Sequence, residues 1–234
     1  MTGNQGKMKI GVIVAMSSEF ELVSALLEAK TERVLSGIVF LEGHIGDKSI
    51  VLAKSGIGKV CAAVGALEMI RTFAPDCIIN TGVAGGIDCS LHVMDIVVGE
   101  KIVYHDVWCG EGNEYGQIQG MPAWYLADPH LYRLAMQLKT DVRLVGGMIC
   151  TGDRFITDRE ELEGIKVKFP AGLAVDMESA SIAQVCYMYD VPFLSFRVIS
   201  DTPGVKEHEE QYRNFWTMAP RESFQVFRQL LLKI

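Results

Sequence analysis

Residues 49–54, SIVLAK, run into SGIGK at 55–59 and then into VCAAVGALEMIRTF up to residue 73. The first six residues are rich in strand formers, and the next five carry two glycines. The remainder sets Val60, Ala63, Val64, Leu67, Ile70 and Arg71 at helical spacing, an apolar stripe broken only at its end. A strand, a glycine turn and an amphipathic helix, in that order, are the repeating unit of an α/β fold, and the stripe predicts the helix face that packs on the sheet. Outward from this unit the same alternation continues. Strands are expected at 9–15, 37–45, 76–81, 95–103, 143–151, 172–176 and 192–199, and helices at 17–29, 58–73, 129–139, 158–166, 177–189 and 219–232. Segment 104–128, with Gly110, Gly112, Gly116, Gly120 and Pro122, is a long irregular insertion, and loops of that length in a compact domain are usually functional or interfacial.

A chain of 234 residues is long enough for one large core. One domain is expected over 8–234, with the polar residues 1–7 as an N-terminal extension ahead of Met8. No apolar run approaches the roughly 20 residues that cross a bilayer, and the N-terminus has no charged-then-apolar signal pattern, so a cytoplasmic protein without a membrane partner is expected. The net charge of −7, with Lys and Arg scattered along the chain, argues against nucleic acid as partner. Cys61, Cys77, Cys89, Cys109, Cys150 and Cys186 are far apart with no CxxC pair, which favours buried free thiols over disulfides or a metal site.

Chemistry concentrates where strands stop. Glu19 follows the first apolar run and Asp201 the last, and a parallel sheet gathers the carboxyl ends of its strands at one edge, where ligands bind. One protonated and one ionised carboxyl group are the minimal equipment for hydrolysing a glycosidic bond. Two glycine clusters, Ser55–Lys59 and Thr81–Gly86, each close a predicted strand; neither has the spacing of a nucleotide-phosphate loop, and either alone is more often a tight turn. Met177 and Glu178 sit between a strand and a helix; core packing and a solvated first helical turn are their ordinary fates. In RVISDT at 197–202, period two sends Arg197, Ile199 and Asp201 to one strand face. Charges there are expensive to bury unless paired, which favours a functional role over a plain salt bridge or helix cap.

KIGVIVAM (9–16) with Glu19 three residues on, KSGIGKV (54–60), INTGVAGG (79–86), DIVV (95–98), YHD (104–106), EYGQ (114–117), TGDRFI (151–156), VDMESASIAQVC (175–186) and VPFLSFRVISD (191–201) together resemble the 5′-methylthioadenosine/S-adenosylhomocysteine nucleosidases of the nucleoside phosphorylase superfamily. The resemblance runs in order from Met8 to the C-terminus. It implies a three-layer α/β sandwich, a central mixed β-sheet flanked by helices, in a homodimer whose partner loop helps to close the site. It implies a purine nucleoside substrate and no cofactor or metal. Glu19 would activate the attacking water, with Arg197 helping to hold that water. Asp201, positioned by Ser200, would protonate the purine N7. Phe155 would stack on the adenine and the Ile156 backbone would read its edge. Met177 and Glu178 would hold the ribose, while Met16, Ile57, Ala84 and Gly85 would line the pocket, with Tyr212 closing it.

Three positions depart from the family pattern. Val83 stands where many members have Ser, Asp176 replaces a Glu and so shortens a carboxylate at the sugar, and WCGEGN at 108–113 replaces aromatic residues that contact the 5′-substituent. Cleavage of futalosine or aminodeoxyfutalosine would use the same acid and base with another 5′-group. Phosphorolysis is disfavoured because Ser17 and Ser18 flank Glu19 with no Arg beside them, and a carboxylate there repels phosphate. A nucleoside-binding module without turnover would need neither Glu19 nor Asp201.

Overall fold

A computed structural model describes residues 7–202, 208–218 and 220–234; the segment assigned to an N-terminal extension lies, apart from residue 7, outside the described residues. Ten strands form one mixed sheet. β1 (Lys9–Val14) lies between β4 (Lys48–Lys54) and β5 (Cys77–Gly86), parallel to both, and β3 (Ile38–Ile45) and β2 (Glu28–Leu35) extend the β4 side as an antiparallel meander. On the other side β5 pairs in parallel with β10 (Phe193–Asp201), which runs antiparallel to β6 (Ile96–Tyr104). β6 carries β8 (Leu144–Thr151) and the two-residue β7 (Tyr125–Leu126), and β8 carries β9 (Gly172–Asp176). β9 then meets β5 again at Gly85↔Val175 and Gly86↔Ala174, closing β5, β10, β6, β8 and β9 into a ring.

Period-two alternation divides the apolar side chains of β1: Ile10, Val12 and Val14 face one core, Ile13 the other. The first core packs against α1 (Ser17–Ser24), α3 (Pro129–Met136) and α7 (Pro220–Lys233), with Phe196 of β10 against Phe227 at 5.8 Å. The second packs against α2 (Lys59–Phe73) and α5 (Ser179–Tyr189). These are the expected three layers, completed by α4 (Arg159–Lys168) and α6 (His208–Met218).

Several expectations are corrected. The first helix stops at Ser24 rather than 29, and the charged run after Leu27 pairs as edge strand β2. In α2 the buried side is Ala62, Gly65, Ala66, Met69 and Phe73, facing the core shared with α5, instead of the stripe read from the sequence, because small residues let the helix approach its neighbours closely; Val60 and Val64 are left exposed. The strand expected to end at 81 runs on to Gly86, so the second glycine cluster is strand rather than turn. Of the six thiols, all free, Cys77, Cys150 and Cys186 are buried, whereas Cys61, Cys89 and Cys109 are exposed.

Candidate active site

The C-terminal ends of β1, β4, β5, β8, β9 and β10 meet around one cleft. A parallel-sheet edge does not account for this alone, since β9 runs against β5. The antiparallel pairing of the end of β9 with the end of β5, at Gly85↔Val175 and Gly86↔Ala174, brings the two sets of ends together.

Glu19 occupies the first turn of α1, where a carboxylate is favoured by the helix N-terminus. Its carboxylate folds back under the cleft floor. Oε2 accepts the N–H of Ala15 at 3.0 Å and of Met16 at 2.9 Å, and Oε1 accepts that of Val83 at 2.9 Å. The Val83 contact is main-chain and therefore does not depend on having Ser there. Gly82, at φ +140°, permits the approach: a Cβ on it would collide with the Glu19 carboxylate and crowd the Arg197 guanidinium. Burial pushes the Glu19 carboxyl up, against the opposing pull of Arg197 and the three N–H groups.

Arg197 is wholly buried in the middle of β10. Nη2 reaches Asn80 Oδ1 at 2.6 Å, Asp176 Oδ2 at 2.9 Å and Glu178 Oε2 at 3.3 Å, while Nε donates to Ser179 Oγ at 3.3 Å. Burial works against this charge, but Asp176, Glu178 and Glu19 outweigh it and hold the guanidinium protonated. Asp176 is fixed further by Thr151 Oγ1 at 2.6 Å and by close contact with Ser179 Oγ. The shortened carboxylate is thus an arginine partner in a satisfied buried network. Glu178, the N-cap residue of α5, accepts the Gly58 N–H on Oε1 at 3.0 Å; burial pushes its carboxyl up, Arg197 pulls it down and Asp176 pushes it further up.

Period two does not carry Asp201 to its place. The β10–β5 register slips between Ile199 and Asp201, and this bulge sets both Ser200 and Asp201 on the cleft while Ile199 stays in the core. Ser200 Oγ donates to Asp201 Oδ1 at 2.6 Å.

Of the residues singled out from the sequence, Met16, Ile57, Ala84, Gly85, Phe155, Ile156, Met177, Glu178, Ser200 and Asp201 line the cleft. Glu19 and Arg197 lie one layer beneath it. Phe155 is half exposed at the rim, its ring edge-on to Tyr212 at 5.6 Å, and the Tyr212 hydroxyl lies 3.6 Å from Met16 Sδ. Among the described residues no group of three or more His, Cys, Asp or Glu is arranged to hold a metal ion.

Residues 9–232 match the family model described as the phosphorylase superfamily. A 5′-methylthioadenosine/S-adenosylhomocysteine nucleosidase of Oceanobacillus iheyensis is 40% identical over 230 residues, covering 97% of this chain and all of that one. The chain belongs to the 5′-methylthioadenosine/S-adenosylhomocysteine nucleosidase family. A nucleosidase of this family from Colwellia psychrerythraea, solved in complex with adenine, superposes with a TM-score of 0.92 at 36% identity, covering 97% of this chain and 96% of that one. The futalosine hydrolase of Helicobacter pylori shares the fold at a TM-score of 0.89 and 29% identity, with 97% and 98% covered. This nucleosidase-family chain also builds its site from residues that the sequence did not single out. Asn80 and Ser179 bind Arg197, and Ser195 lies 2.7 Å from Ser179; Asn80 and Ser195 are polar residues in apolar runs, which is the signal they offered, whereas Ser179 follows Glu178 and offered none. Arg154 lines the cleft mouth, paired with Glu161, and no sequence signal marked it.

Proposed function

We propose that this chain hydrolyses the N-ribosidic bond of 5′-methylthioadenosine and S-adenosylhomocysteine, releasing adenine and the 5′-thioribose. One observation carries the reading: a carboxyl group at the bulged end of β10, a second beneath the cleft floor and a third at the α5 N-cap converge on one cleft. As the C1′–N9 bond breaks, its electron pair goes to the purine and the Asp201 proton goes to N7. Water bonds to C1′ and gives its proton to Glu19, whose burial makes it a stronger base. Glu178 sits where its charge favours the oxocarbenium-like sugar, and such a fixed charge acts more strongly once water is excluded. In this reading Phe155 and Ile156, which line the cleft, take the adenine and Met177 the ribose. The Arg197 guanidinium, committed to Asn80, Asp176 and Glu178, is not available to a phosphate nucleophile, which supports hydrolysis over phosphorolysis.

The active unit in this reading is a homodimer in the cytoplasm, with residues 8–234 as its nucleosidase domain. Val60 and Val64 on α2, and Tyr187 and Met188 on the adjoining α5, are exposed apolar side chains that a second copy would cover. Six free thiols suit a reducing compartment.

Incubation with 5′-methylthioadenosine, with and without phosphate, tests the activity. Adenine and free methylthioribose in equal amounts, unaffected by phosphate, are expected. A sugar phosphate would establish a phosphorylase; adenine from neither substrate, with cleavage of aminodeoxyfutalosine instead, would move the chain to the futalosine branch. Equilibrium sedimentation showing a fully active monomer would remove the dimer.

A further inference from the structure

Glu178 takes one of its two charge-stabilising contacts from the N–H of a glycine. Gly58, at φ +95°, has no side chain to anchor its peptide, and its neighbour Ile57 is 55% exposed, so something else must hold that N–H in place. The next residue supplies the restraint. The Lys59 N–H donates to Asp153 Oδ1 at 2.7 Å, and Lys59 Nζ donates to Asp106 Oδ2 at 2.8 Å. Asp106 Oδ2 also accepts the Asp153 N–H at 2.9 Å, and Lys59 Nζ lies 5.5 Å from the centre of the Tyr104 ring. Three separate pieces of chain are tied here: the entry to α2, the loop after β8 that carries Phe155, and the start of the irregular segment after β6.

We propose that Lys59, Asp106 and Asp153 are positioning residues for Glu178, pinning the Gly58 N–H on its carboxylate and thereby keeping Glu178 in the ionised form that the ribosyl cation needs. None of the three lines the cleft, so they act through Gly58 and not on substrate. The proposal rests on the nucleosidase reading for its kinetic consequence, but its structural core, a carboxylate held ionised by a braced N–H, stands without it. The other groups facing Glu178 are Arg197 on β10, Asp176 on β9, Glu19 on α1 and Tyr212 on α6, all left in place by changes in the cluster.

The experiment compares the full chain with Lys59→Met and Asp106→Asn, with Lys59→Arg as the conservative control, in two measurements. Titration of the Glu178 side chain by carboxyl carbon NMR should move to higher pH in both neutralising variants and return toward wild type in Lys59→Arg. With methylthioadenosine, kcat at neutral pH should fall roughly ten- to a hundredfold, with KM changing much less and the acidic limb of kcat moving up in pH. An unmoved Glu178 titration, or a loss of kcat without movement of the acidic limb, overturns the proposal. Wild-type protein that cleaves no nucleoside would sink the functional reading, and the NMR titration would still decide the positioning role.

Discussion

The inner and outer walls of the cleft are built on different principles. The inner wall is strand and helix terminus: Asp176 and Glu178, with Glu19 and Arg197 directly beneath them, are each at most 7% exposed and bound to one another or to backbone N–H groups. The outer wall is loop: Ile57 and Phe155 are 55% and 52% exposed. Charge is therefore oriented before substrate arrives, which is the arrangement that stabilises a cationic transition state without reorganisation. In the proposed reading, recognition of the base face is left to residues that must first shed water. Changes to the inner wall should alter kcat and folding, and changes to the outer wall should alter KM.

The sharpest break in that contrast comes from the acid and the base. Asp201→Asn and Glu19→Gln should each lower kcat about 10²- to 10⁴-fold with little change in nucleoside affinity, measured by adenine release and by isothermal titration. Near-normal turnover in either variant would assign its role to another residue. Arg197→Met should cost roughly 3–5 kcal/mol in urea unfolding, because it strands Asp176 and Glu178 in a buried site; an exposed outer-wall change should not approach this.

Acid should silence the enzyme early. Burial raises Glu19 and Glu178 above their ordinary value of 4.5, and in the proposed reading both must be ionised, so kcat/KM should fall roughly tenfold per unit once one of them is protonated, steepening toward roughly a hundredfold per unit once both are. The same shifts act on stability with the opposite sign. A raised folded-state value means that the contribution to folding is complete below 4.5 and is lost as pH rises through the raised value, so these two groups favour folding at the acid end, where activity is lost. Difference stability curves against the Glu178→Gln variant check that sign. On the outer wall, Phe155→Ala should raise KM roughly tenfold, as expected of a base–aromatic stack worth about 1–3 kcal/mol, with kcat and melting temperature nearly constant. Tyr212→Phe removes a hydroxyl that faces the Met16 sulfur and also pairs with the Trp216 side chain, and should change KM by about two- to fivefold.

The central strands were legible because Val and Ile runs ended by Gly, Ser or Asp have few other fates, and the sheet-edge carboxylates followed from them. β2 was not, because EAKTERVL is a charged edge strand with almost every side chain in water, and periodicity carries no signal where no face is buried. α6 was missed for a related reason: HEEQYRNFWTM is polar along most of its length. The packing face of α2 differs from the stripe because Ala62 and Ala66 look weaker than Val60 and Val64, yet close approach to neighbouring elements favours the small residue. At the site, residue identities marked Glu19, Glu178 and Asp201, while the network beneath them depends on a three-dimensional meeting of Asn80, Asp176, Ser179 and Arg197 that no local pattern encodes.

The last strand of the chain lies inside the sheet, between β5 and β6, with all nine of its residues buried. During synthesis the chain must therefore be made past Asp201 before the ring can close, and until then β5 and β6 each lack the strand that pairs with them there. Such long-range pairing makes for slow, aggregation-exposed folding. It also makes activity all-or-none: the strand that completes the core is the one that delivers Asp201, so no shortened nascent chain carries both carboxylates in place.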